Sequence, residues 1–180
     1  MKKIMSIISI VTFCAGVSCL GYAAARNIIE YFDEKGVIKT HVRDIKNSTG
    51  DSNIDVAELK KRLEKAFVER GSHAFKIVSD IDTADIVVDV DVAEYFWTEE
   101  DPVDLIFSPI AAAIDKAKAE NYARMQADIV IIDVKSGQEL WKERVQSTLT
   151  DDTMTEKESY HLTYERFSKM FMKKLFKKPK

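Results

Sequence analysis

The sequence predicts an α+β domain: a single mixed, largely antiparallel sheet in the order β-α-β-β-(α insertion)-β-β-α, with its helices packed on one face. Three observations carry this reading. From Asp85 to Val92 the chain alternates, with Ile86, Val88, Val90 and Val92 on one side and Asp85, Asp89 and Asp91 on the other; such alternation marks a sheet covered on one face and wet on the other. Tyr160, Tyr164, Phe167, Phe171 and Leu175 recur at helical spacing, which is a core-facing stripe. Asp55, with Glu58 three residues on, opens another helix as a capping-box arrangement.

The chain begins Met1-Lys2-Lys3 and continues with an apolar run from Ile4 to Phe13. A charged start before about ten apolar residues is the pattern of a secretory signal, and it falls short of the ~20 residues that span a bilayer. Cys19 follows Ala15-Gly16-Val17-Ser18, which resembles a lipobox; that likeness implies a signal peptide at 1–18 and a lipid on Cys19, anchoring the protein to a membrane. A competing site, Ala23-Ala24-Ala25, would instead release a free protein after residue 25. Residues 19–36 read as a tether whose Ile28, Ile29, Tyr31 and Phe32 can dock on the domain. The domain proper is expected over 37–176, with a basic tail at 177–180.

Within it, 37–45 reads as the first strand, Lys46 to Asn53 as a polar turn, and the stretch after Asp55 as a helix with Leu59, Leu63, Ala66 and Phe67 on one face, ended by Gly71. Ala74–Val78 is the next strand, and a long strand follows Ala84-Asp85, its pattern stopping after Trp97. An insertion at 98–123 follows, where a few residues would suffice to join neighbouring strands. Ser108-Pro109 is a helix-opening pair, and the helix is expected to run from Ile110 to about Tyr122. Strands resume at Asp128–Val134, turn at Lys135-Ser136-Gly137-Gln138, and return over Leu140–Leu149, before the final helix.

Composition narrows the function. Once residues 1–18 are removed, 25 basic residues face 30 acidic ones, a net charge of −5, which argues against nucleic acid as a partner. The two cysteines, Cys14 and Cys19, lie in or at the edge of the leader, so the domain has neither a disulfide nor a thiol nucleophile. His41, His73 and His161 show no ligating spacing, and neither a nucleophile elbow nor a glycine-rich phosphate loop is present. No metal, cofactor or catalytic residue is expected, and the protein is expected not to be an enzyme. The aspartates at 80, 82, 85, 89 and 91 lack the glycine-bearing turn of a calcium loop; a solvated face paired with Lys142 and Arg144 accounts for them. An alternative function, a periplasmic ligand- or cation-binding module, would use that acidic face.

Two surfaces point elsewhere. The insertion and the residue before it carry Trp97, Leu105, Ile106, Phe107 and Ile110, which either cover the open sheet or form a contact for another envelope protein. Lys173, Lys174, Lys177, Lys178 and Lys180 either complement a helix C-terminus or hold an anionic membrane surface.

Several short pieces resemble a known group. The strand and turn ending Arg43-Asp44-Ile45-Lys46-Asn47-Ser48-Thr49, then Phe75-Lys76-Ile77-Val78, Ala84-Asp85-Ile86-Val87-Val88 and Asp133-Val134-Lys135-Ser136-Gly137-Gln138-Glu139-Leu140-Trp141 follow the order of the domain shared by the amino-terminal part of TolB, the curli-secretion lipoprotein and the outer-membrane activators of penicillin-binding proteins. Ser136 stands where that pattern usually has threonine, and the insertion is extra. The resemblance implies a non-catalytic envelope lipoprotein that binds another envelope protein, in the periplasm or anchored to the outer membrane. Intact mass spectrometry of the protein purified from bacterial membranes tests the anchor. A mass beginning at Cys19 plus a diacylglyceryl group establishes it, and an unmodified mass beginning at Arg26 refutes it.

Overall fold

The computed structural model describes residues 28–70, 73–99 and 121–177. Among them the order is α1 (Ile28–Lys35), β1 (Val37–Val42), β2 (Lys46–Asn47), α2 (Val56–Arg70), β3 (Ala74–Ile77), a 3-10 turn (Ile81–Thr83), β4 (Ile86–Thr98), β5 (Asn121–Asp133), β6 (Glu139–Asp151) and α3 (Glu156–Leu175). The strands form one sheet, β3-β1-β4-β5-β6, with the short β2 beside the far part of β4. β3, β1, β2 and β4 pair in parallel, whereas β4-β5-β6 is a long antiparallel meander. This is the mixed, largely antiparallel α+β fold that the sequence predicts.

Alternation sorts the side chains. Ile86, Val88, Val90 and Val92 of β4, and Met125, Ala127, Ile129 and Ile131 of β5, enter the core under the helices. An aromatic seam ties the layers together. Phe32 of α1 meets Phe75 of β3 at 5.3 Å, Phe75 meets Phe67 of α2 at 5.1 Å, Phe67 meets Phe171 of α3 at 5.5 Å, and Phe171 meets Trp141 of β6 at 5.6 Å. Edge-to-face pairs of this kind contribute about 0.5–1.5 kcal/mol each beyond area burial.

Local signals explain the helix ends. Thr155 and Glu158 form a full capping box at the start of α3. At α2 the box is only half made. Asp55 accepts from the Glu58 N–H at 2.9 Å, but Glu58 turns away to Arg62, and the Asp55 N–H donates instead to the Tyr164 hydroxyl at 2.9 Å. Gly36, at φ 71°, ends α1 in a conformation that glycine adopts without strain.

Three expectations are corrected. Asn121 and Tyr122 begin a strand rather than end a helix, so β5 matches the 13 residues of β4, which runs to Thr98 as its pattern predicts. A shift in register at Val92/Glu94 bends the strand there. The first strand does not continue to residue 45: it stops at Val42, and the chain rejoins β4 only at Lys46–Asn47. Finally, the aspartates of β4 do not pair with Lys142 and Arg144, because β5 lies between β4 and β6. Asp89 holds Arg43 at 2.8 Å, Asp91 holds Lys46 at 2.7 Å, and Asp85 holds Lys35 at 3.4 Å and the Lys39 N–H at 2.9 Å. Arg144 grips Asp128, its direct partner on β5, with two bonds of 2.7 Å.

Asp133, at the end of β5, is the polar hub of this end of the domain. Its carboxylate accepts from the Ser136 N–H at 2.6 Å, the Ser136 hydroxyl at 2.8 Å and the Tyr31 hydroxyl at 2.5 Å. Burial opposes its charge, but these donors prevail and hold the carboxyl below its ordinary value. Tyr31→Phe should therefore cost about 1–3 kcal/mol, since it strips a donor from a buried carboxylate; urea unfolding measures it. A lowered carboxyl stabilises above its unfolded pKa and loses that contribution as pH falls, so the difference between wild type and variant should narrow in acid.

Candidate functional site

The register divides the domain into two ends. One end gathers α1, the β5–β6 turn and the C-terminal end of α3: Tyr31 reaches Asp133, and Phe32 lies 5.9 Å from Phe176. The strands then run about 40 Å at 3.3 Å per residue to the opposite end, where the β4–β5 arms finish at Thr98 and Asn121, and where α2 and α3 begin.

At this far end a polar turn is built from Asn47 outward. Asn47 Oδ1 accepts from the Thr49 N–H at 3.1 Å and the Thr49 hydroxyl at 2.7 Å, its Nδ2 donates to the Asp51 carbonyl at 2.8 Å, and the Asp51 N–H donates to Thr49 Oγ1 at 3.0 Å. These Asx and hydroxyl turns aim the Asp51 side chain at α3, where it accepts from the Tyr160 hydroxyl at 2.8 Å. Tyr160 in turn stacks on Tyr95 of β4, ring centres 4.5 Å apart and 17° from parallel, and Tyr95 shares a 2.5 Å hydrogen bond with Ser159. The core stripe of α3 thus ends in hydroxyls that the sequence pattern alone presents as packing groups.

Beside these rings opens a cleft of about 460 Å³ lined by Asn53, Asp55, Glu156, Lys157, Tyr160, His161 and Tyr164. Burial pushes the phenols of Tyr95 and Tyr164 up to about 12. Burial, reinforced by Asp51, raises Tyr160 as well. All three are neutral hydrogen-bonding groups at physiological pH. Ser159 is bound on both sides, to Tyr95 and to the Glu156 carbonyl at 2.5 Å.

Trp97 stands two residues beyond Tyr95, opposite Ala123. It is half-buried, and its indole Nε1 has no hydrogen-bond partner among the described residues. On the other face of the same hairpin, Phe96 is 38% exposed and lies 6.3 Å from Tyr122. Leu105, Ile106, Phe107 and Ile110, the other expected contact residues, lie outside the described residues, as does Cys19. Of the expected site residues the structure therefore locates Trp97, and it adds the tyrosine cleft. The Thr155-x-x-Glu158 box could have revealed that α3 begins at this end; nothing in the spacing reveals that Asp51 and Tyr160 meet.

The outer sheet face is a lattice of ion pairs. Arg43–Asp89, Lys46–Asp91, Arg124–Glu94 and Arg144–Asp128 cross it. Hydrogen bonds from Lys46 and Arg144 hold the carboxyls of Asp91 and Asp128 below their ordinary range. Among the described residues no group of three or more His, Cys, Asp or Glu is arranged to hold a metal. A cation entering this face would have to displace a base from each acid.

No family model matches the sequence, and no curated protein does. Among solved structures, a hypothetical protein from Chlamydia trachomatis shares the fold at TM-score 0.51 and 7% identity, over 76% of this chain and 94% of that one. A minor lipoprotein from Acinetobacter baumannii aligns at TM-score 0.43 and 10% identity, over 76% and 91% of the two chains. The LpoB C-terminal domain from Salmonella enterica aligns at 0.39 and 12%, over 68% and 93%. The likeness to the Chlamydia trachomatis protein is one of fold.

The raised phenols predict an alkaline transition. A tyrosine whose folded pKa exceeds its unfolded one stabilises fully below the unfolded value and loses that contribution as pH climbs through the folded value. Stability should hold to about pH 10 and fall between 10 and 12. Absorbance titration of tyrosinate should show Tyr95, Tyr160 and Tyr164 ionising only with unfolding, and Tyr160→Phe, which takes one ionising phenol away, should make the alkaline loss of stability shallower.

Proposed function

We propose that this chain is a non-catalytic envelope protein that binds another envelope protein through the end of the domain where the β4–β5 hairpin and the tyrosine cleft meet. The observation that carries the reading is the separation of the two ends. The helix that continues the N-terminal segment docks at one end, through Tyr31 and Phe32, so a protein held by its N-terminus would present the other end outward. That outward end combines exposed and half-buried aromatic rings, Phe96, Trp97 and Tyr122, with a cleft in which the Tyr160 and Tyr164 rings sit among Asn53, Asp55, Glu156 and Lys157. Aromatic groups ringed by polar ones are the composition of protein interfaces. The apolar run Leu105, Ile106, Phe107 and Ile110 is assigned to the same contact, and Cys19 to the anchor.

The test is capture of a cross-linked partner from envelope extracts. Replacing Ile106 and Ile110 together with Asp should abolish capture while the circular-dichroism melt stays unchanged. A melt that drops steeply would mean that these residues are core instead, and undiminished capture would move the contact elsewhere.

A further inference from the structure

β6 is the long edge of the sheet, and its two halves differ. The first carries Lys142, Glu143 and Arg144, and it is guarded from α3: Lys174 donates to the Arg144 carbonyl at 2.8 Å and pairs with Glu143 at 3.2 Å. Charge and cover are the usual means of blunting a sheet edge. The second half, Val145-Gln146-Ser147-Thr148-Leu149-Thr150, has neither charge nor proline. Because the Arg144 carbonyl points away from β5, antiparallel alternation turns the main-chain groups of Gln146, Thr148 and Thr150 outward too. That alternation leaves them outside the β5–β6 ladder.

We propose that this edge is a homodimer interface, in which residues 146–150 of two copies pair antiparallel about a two-fold axis through Thr148. Such an interface is self-complementary by symmetry, and the charges at its ends choose the register. Centred on Thr148, Gln146 faces Thr150 of the second copy, and Arg144 comes opposite its Asp152. Centred one residue earlier, Glu143 would meet Asp151, a like-charge clash. The Lys174 cap on the Arg144 carbonyl closes the new ladder at Gln146, so the paired segment is short. A contact of this size sits near the small end of specific interfaces, below about 1,200 Å², and the dimer dissociates on dilution.

Sedimentation velocity of the purified protein over a hundredfold range of concentration is the test. Wild type should show a reversible monomer–dimer equilibrium. Thr148→Pro removes an N–H that faces away from β5, and a proline with its nitrogen toward solvent is tolerated on an edge strand. Thr148→Lys sets two ammonium groups face to face on the axis. Each should weaken the dimer at least about tenfold with the thermal melt retained, and the lysine variant carries the test if the proline variant unfolds. Register is read separately: with Cys14 and Cys19 replaced by Ala, Thr148→Cys should oxidise to a covalent dimer and Thr150→Cys should not. A protein that stays monomeric throughout, a dimer indifferent to both substitutions at 148, or equal cross-linking at 148 and 150 would each overturn the proposal.

Discussion

The fold rests on the burial of one face of a sheet whose other face stays wet. Among the described residues the three helices pack on the same side, and the aromatic seam from Phe32 through Phe75, Phe67 and Phe171 to Trp141 joins the layers of that side. Apolar packing is the dominant cohesive term. It also explains the short first strand. β1 needs only enough length to present Ile38 and Val42 to the core, whereas β4, β5 and β6 run on to the end where α3 begins and finish there in polar and aromatic groups.

The outer face shows how a one-sided sheet manages exposure. Its acids and bases are placed on adjacent strands, so each carboxylate meets a base across one strand spacing. Exposed pairs contribute little individually. Their larger effect is on register: a slip of one residue would carry the apolar row of β4 to the water side and break the pairings together.

Much of the core was legible in the sequence, because burial leaves a period. The stripe of α3, the α2 face and the inner row of β4 are all where spacing puts them. The length of β5 was not. Ala123, Met125 and Ala127 do alternate with Arg124 and Gln126, but alanine, methionine, glutamine and arginine are also good helix formers, so propensity argued for helix where cross-strand pairing decides for strand. Nor was the polar wiring legible. Tyr31 and Asp133 are 102 residues apart, and Tyr160 and Asp51 are 109 apart. A single tyrosine or aspartate carries no mark of its partner until the topology brings them together. The same holds for the ion pairs of β4, whose partners depend on strand order rather than on spacing.

The docking of α1 has a mechanical consequence. α1 leads directly into β1, which runs parallel to β4 in the middle of the sheet. A pull on the N-terminal segment, resisted by a load at the far ends of β4 and β5, would act along the strand axes. The bonds between β1 and its neighbours would then be loaded side by side in shear rather than peeled one after another. The Tyr31–Asp133 and Lys35–Asp85 contacts would strain first, with the Phe32 ring behind them. A domain strung between an anchor and a partner in this direction would yield first at the small clasp formed by α1, while its sheet remained whole.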